Sequence, residues 1–191
     1  LGLLLAGTSW IYVSLHNFGG MHPILSALAT IFLAAIFSIV PASIQALLAR
    51  VNHSPKLRLL IILPVGLALS DWCRGWFLTG FPWLAIGYSQ IPTSPLANYA
   101  SIFGIYGVTL ACGICSGGVC YFLKNLFFKH TESSVISSSK ISLVILTSTL
   151  ISSITLGLVN WTQKTNKTAT SVSLLQGNIT QDLKWSPESL K

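Results

Sequence analysis

The sequence predicts a polytopic α-helical membrane protein, followed by the first strand and helix start of an α/β domain. Three observations carry this. Charged residues make up 8% of 191, where a soluble domain runs at about 25%, and apolar residues reach 52% with a mean hydropathy of +0.70. Two long stretches, residues 1–49 and 75–123, contain no Asp, Glu, Lys or Arg. The basic residues Arg50, Lys56 and Arg58, and Lys124, Lys129 and Lys140, cluster in short connections. A surface so poor in charge is not kept solvated, which excludes a soluble domain. Disorder is excluded too, because it needs low hydrophobicity and high charge. The net charge of +7 therefore reports topology, and no nucleic-acid partner is expected.

A bilayer core takes about 20 helical residues, so each charge-free stretch must break once. The first breaks at Asn17-Phe18-Gly19-Gly20-Met21-His22-Pro23, where Gly and Pro punctuate. This gives a shortened span over 1–15 and a complete one over 24–49. Pro41 is expected to kink the latter, which membrane helices tolerate. Arg50, Lys56 and Arg58 cluster in the next loop, and a third span covers 57–78. The second stretch breaks over 79–98, which holds Gly80, Pro82, Gly87, Pro92 and Pro95. A fourth span covers 99–123. Lys124, Lys129 and Lys140 flank a Ser-rich loop, and a fifth span covers 141–161. Residues 1–161 are thus expected to form a transmembrane domain of about five spans.

The positive-inside rule orients these spans. By parity the loops near 50–58 and 124–140 share a side, which is expected to be cytoplasmic. The opposite connections, 17–23 and 79–98, hold no Lys or Arg. Everything after Trp161 then lies outside the cytoplasm, despite Lys164, Lys167 and Lys184. Residues 162–170 read as a polar linker. Ser171-Val172-Ser173-Leu174-Leu175-Gln176 reads as one strand with partial alternation, ended by Gly177-Asn178. Ser186-Pro187-Glu188 reads as an N-cap, a first-turn proline and an acidic first turn. Residues 171–191 are therefore expected to open a truncated α/β domain. Leu1 already sits in an apolar run with no basic leader, so an internal fragment is expected.

Few residues invite chemistry. Asp71 and Arg74 are the only charges inside a span, and at i,i+3 they share a helix face. Counting about 1.5 Å per residue from Leu57 places Asp71 about 21 Å along, toward the outer interface. Ionisable residues in a span mark function by default, though a pair that only positions the helix fits equally. The uncharged aromatic loop from Thr79 to Gln90 carries Trp83 and Tyr88. It reads either as a plain aromatic belt or as a lipid-facing gate or re-entrant loop beside that pair. Cys112-Gly113-Ile114-Cys115 lies inside the fourth span, where a thiolate is disfavoured, and reads as packing rather than redox chemistry. Gly113 and Gly117 form a G-x-x-x-G close-packing motif. No His or Cys spacing resembles a metal site, so neither metal nor cofactor is expected.

Three blocks together resemble bacterial apolipoprotein N-acyltransferase. The first is Trp10-Ile11-Tyr12-Val13-Ser14 with Phe18-Gly19-Gly20-Met21. The second, and the most specific, is Arg74-Gly75-Trp76-Phe77-Leu78-Thr79-Gly80-Phe81-Pro82-Trp83-Leu84 with Gly87-Tyr88-Ser89-Gln90-Ile91. The third is Gln176-Gly177-Asn178-Ile179 with Gln181-Asp182-Leu183-Lys184-Trp185. The resemblance implies a bacterial inner-membrane enzyme whose membrane domain carries a periplasmic nitrilase-like αββα domain. It implies that a Glu–Lys–Cys triad takes an acyl chain from a phospholipid as a thioester and passes it to the amine of an apolipoprotein's N-terminal diacylglyceryl-cysteine. The partners implied are a phospholipid acyl donor, an apolipoprotein acceptor and membrane lipids.

No member of the triad falls within residues 1–191 by this resemblance, and the Glu, Lys and Cys are expected beyond Lys191. Glu188 lacks the family's Trp-Pro-Glu setting, so the chain alone is expected to be inactive. Arg74 is expected to meet a phosphate or a backbone carbonyl, with Asp71 orienting it. Trp83 and Tyr88 are expected at the lipid entrance, and Trp185 matches a family tryptophan close to the active site. The competing readings are a transporter or channel fragment, a non-catalytic membrane scaffold, and a nitrilase-fused membrane protein with another acceptor.

Overall fold

The computed structural model describes residues 1–51, 53–90, 94–128, 132–162 and 171–178. Every regular element among them is helical. The chain divides into two compact units, residues 1–34 with 162–191, and residues 35–161.

The first unit begins with α1 (Gly2–Thr8) and α2 (Trp10–Val13), continued by a π turn over Ser14–Phe18. The chain then turns at Gly20, whose φ of +64° glycine adopts without steric cost. The His16 ring Nδ1 donates to the Met21 carbonyl at 2.9 Å and closes that turn. Helix α3 (Pro23–Arg50) starts directly after it on a proline, whose missing N–H costs nothing in a first turn. Hydroxyls bond back to their own helices, as Thr8 does to the Leu4 carbonyl at 2.7 Å and Thr30 to Ser26 at 2.8 Å. That removes a bare polar group from an apolar surround.

The strand expected at Ser171 to Gln176 is not formed, and residues 171–178 carry no regular structure. A strand exists only by its ladder to a neighbour, and no second extended segment lies among the described residues. Leu174 and Leu175 are accordingly almost fully exposed. The linker residues 163–170 and the expected helix start at Ser186 lie outside the described residues.

The second unit holds the rest of α3 and three antiparallel neighbours. Ser54 caps α4 (Pro55–Leu57), accepting from the Leu57 amide at 3.3 Å. A π turn (Arg58–Ile62) joins it without a break to α5 (Leu63–Arg74). Short 3₁₀ turns at Phe77–Thr79, Ile86–Gln90 and Pro95–Tyr99 lead to α6 (Ala100–Phe128), and α7 (Glu132–Gly157) returns. Helix α7 thus takes up the Ser-rich stretch that reads as loop in the sequence, because only a short connection is needed between antiparallel helices.

Helix α6 is the axis of this unit. It packs on α5 on one side and on α7 on the other. A Cβ on Gly113 would come 2.8 Å from Pro64 Cα, and one on Gly117 would overlap the Leu59 carbonyl. The G-x-x-x-G face is thus where two backbones meet. On the α7 side, Ser142 donates to the Gly118 carbonyl at 2.8 Å, and the Tyr99 hydroxyl donates to the Thr149 carbonyl at 3.0 Å. Gln45 and Leu48 of α3 lie against Gly66 of α5. This register puts residues 53–58 and 124–128 at one end of the unit and residues 75–90 and 94–99 at the other.

Three helices among the described residues are long and apolar enough to cross a membrane: Pro23–Arg50, Pro95–Phe127 and Ser139–Gly157, with mean hydropathies of 2.4, 1.7 and 1.5. The other two expected spans are helical but interrupted by π turns. Helix α3 stays continuous through Pro41. Burial runs opposite to that of a soluble protein. Ser26, Thr109 and Ser153 are buried, whereas Phe32, Val144 and Ile151 are exposed. That is the distribution a hydrocarbon solvent selects.

Candidate functional site

The last turn of α5 brings Asp71 and Arg74 together, as their spacing requires. Arg74 Nη2 lies 2.8 Å from Asp71 Oδ1. Asp71 is 6% exposed and Arg74 4%. A buried pair survives only when its remaining lone pairs are also satisfied. Asp71 meets this condition. Its Oδ2 accepts from the Ile86 backbone N–H at 2.9 Å and from the Thr109 hydroxyl at 2.8 Å. The same hydroxyl accepts from the Gly87 N–H at 3.0 Å. On Arg74 the Nε is buried without a hydrogen-bond partner, and the backbone carbonyl accepts from the Phe81 N–H at 2.8 Å.

These bonds tie residues 77–90 to two helices. The tied segment is strained: Leu78, Thr79 and Leu84 have φ of 49°, 74° and 63°. Positive φ is an outlier for a β-branched residue such as Thr79, so the surrounding bonds must hold it there. Gly80 (φ +94°) makes the tightest part of the turn, against the Gly75 backbone. Gly87 lies flat on α6, where a Cβ would meet the Ile105 carbonyl oxygen at 2.6 Å. Gly104 just before it (φ 60°, ψ −162°) takes a conformation open essentially to glycine alone and separates the first turn of α6 from the rest.

Aromatic stacking supports the segment from its other side. Phe37 of α3 stacks on Phe81 with ring centroids 4.6 Å apart, and Phe81 stacks on Trp83 at 6.1 Å. Trp83 and Tyr88 remain 52% and 48% exposed. With Pro82 and Leu84 they line a shallow pocket of about 360 Å³. A larger apolar groove of about 610 Å³ runs between α5, α6 and α7, past Leu69, Trp72, Phe103, Tyr106 and Leu110.

Of the residues singled out in the sequence, Asp71 and Arg74 form one buried cluster, and Trp83 and Tyr88 share one pocket on the segment that the cluster holds. Trp185 lies outside the described residues. Thr109 was not legible as part of the cluster, since it sits 38 residues from Asp71 in a charge-free stretch. Its only signal is a hydroxyl at a position where α6 is otherwise apolar. The four cysteines are free thiols. Among the described residues no three His, Cys, Asp or Glu side chains gather as metal ligands.

The family described as Apolipoprotein N-acyltransferase N-terminal domain matches residues 1–118. Among similar curated proteins, Apolipoprotein N-acyltransferase of Nitrosomonas europaea is 38% identical over 190 residues, covering 100% of this chain and 36% of its own length. The protein of the same name from Photobacterium profundum is 37% identical over 188 residues, covering 98% of this chain and 34% of its own. That of Chromobacterium violaceum is 35% identical over 191 residues, covering 100% and 35%. The chain thus spans about a third of the length of these relatives.

Proposed function

Because the chain belongs to the apolipoprotein N-acyltransferase family through its N-terminal domain, we propose that it forms the membrane part of an enzyme that N-acylates apolipoproteins from a phospholipid donor. The reaction proposed has two steps. A Cys thiolate attacks an ester carbonyl of the phospholipid, and the lysophospholipid alkoxide leaves and takes a proton. The free α-amine of the acceptor's diacylglyceryl-cysteine then attacks the thioester, an amide forms, and the thiolate is released. Splitting one acyl transfer in two lowers each barrier. A Glu base and an oxyanion-stabilising Lys complete the set. In this reading all three residues belong to a periplasmic nitrilase-like domain that residues 171–191 begin.

The role proposed for this chain is to admit the lipids. Both substrates are lipids, so the site has to open at the bilayer surface. The observation that carries the reading is an uncharged aromatic segment, pinned to a buried ion pair, that exposes Trp83 and Tyr88. Five spans are proposed, with the basic loops near 50–58 and 124–140 cytoplasmic and residues after 161 periplasmic. Arg74 has a buried Nε without a hydrogen-bond partner, for a phosphate oxygen or a backbone carbonyl, while Asp71 orients the guanidinium. Trp185 is proposed to engage substrate.

Acyl transfer by the full-length protein in phospholipid micelles tests this. Trp83→Ala, Tyr88→Ala, Arg74→Ala and Trp185→Ala should each reduce transfer to an apolipoprotein. An unchanged rate in any one removes that residue from the reading. No transfer by the unsubstituted full-length protein would favour a membrane scaffold instead.

A further inference from the structure

We propose that Thr109 is a positioning residue for the acyl donor, setting the height of the aromatic segment above α6 and so the presentation of Trp83 and Tyr88. This rests on the lipid-entrance reading above. Thr109 is fully buried, and its one hydroxyl is used in both senses: it donates to Asp71 Oδ2 at 2.8 Å and accepts from the Gly87 N–H at 3.0 Å. Asp71 Oδ2 already takes the Ile86 N–H as well, so the Gly87 amide has its acceptor in Thr109. The segment between the Phe81 and Ile86 attachments carries Trp83 and the strained Leu84.

Removal of the hydroxyl frees that strain where it matters. Valine has nearly the shape of threonine but neither donates nor accepts, so the Gly87 amide would face the helix unmatched. The segment would then lift at residues 83–88, while the Asp71–Arg74 pair stays closed. Gly87 reports the same contact independently. It approaches α6 closely enough that a Cβ would meet Ile105 O at 2.6 Å and Thr109 N at 3.1 Å, so alanine there pushes the segment off by bulk alone.

The test uses the full-length enzyme in phospholipid micelles, with two readouts. Amide hydrogen exchange across residues 84–90 reads the attachment. The KM for phospholipid against kcat reads its consequence. Thr109→Val should speed exchange and raise KM, each about ten-fold, the scale of one charge-assisted hydrogen bond, with kcat kept. Gly87→Ala should do the same, and Thr109→Ser should restore both values. If Thr109→Val does not accumulate, Thr109→Ala takes its place. Unchanged exchange in the hydroxyl-less variant overturns the attachment, whatever the lipid kinetics. Faster exchange with unchanged KM overturns the positioning role if Trp83→Ala still raises KM. If Trp83→Ala also leaves KM unchanged, the lipid-entrance reading itself falls. Equal loss of kcat and KM effects in Thr109→Ser and Thr109→Val overturns the proposal, since a packing defect would behave that way.

Discussion

Asp71 is the residue on which the aromatic-segment end of the second unit depends. It accepts from Arg74, Ile86 and Thr109 while only 6% exposed. Its removal strands a buried guanidinium, and breaking one side of such a pair costs about 3–5 kcal/mol. Asp71→Ala in the full-length protein should therefore lower the thermal unfolding midpoint in detergent well beyond any surface substitution. An Asp71→Ala/Arg74→Met double substitution should recover part of the loss, because no lone charge then remains. Equal midpoints for Asp71→Ala and the parent would show that the pair is not held in this way. The i,i+3 spacing made the pair legible in the sequence. Its partners were not, because Ile86 contributes only a backbone amide and Thr109 arrives from another helix.

Helix α6 meets α5 and the π turn before it at glycines. Gly113 and Gly117 lie where a Cβ would strike Pro64 or the Leu59 carbonyl, whereas a Cβ on Gly118 meets nothing nearer than Ile145 Cγ2 at 3.6 Å. Between membrane helices apolar burial drives little, so such close backbone packing supplies the association. Gly117→Ala should cost about 1–3 kcal/mol, the usual cost of overpacking. Gly118→Ala, one position on, should be tolerated. Unfolding midpoints of the two variants check this, and equal values would refute the face assignment. The motif alone named Gly113 and Gly117. That Gly118 differs follows from which neighbour sits on each side of α6, information that only the packed helices hold.

At the scale of the whole molecule, the antiparallel order of the second unit gathers Lys56, Arg58 and Lys124 at one end and the aromatic segment at the other. In intact cells carrying a full-length protein freed of native cysteines, an impermeant maleimide should label Ser89→Cys and spare His53→Cys. The reverse pattern would invert the proposed orientation. Membrane class and the long apolar helices could be read from sequence, because each depends on composition along one segment. The strand at Ser171 to Gln176 could not be read reliably for the opposite reason: strand pairing is made with a neighbour, and its own alternation cannot supply one. The cluster lay equally out of reach. Ile86 meets Asp71 across 15 positions of sequence, Gly87 meets Thr109 across 22, and Thr109 meets Asp71 across 38. Composition and spacing along the chain are enough to give a helical membrane domain with an ion pair and an aromatic loop. That the pair holds the loop is visible only once the helices are packed, since a hydrogen bond from a backbone amide or a lone hydroxyl leaves no pattern along the chain.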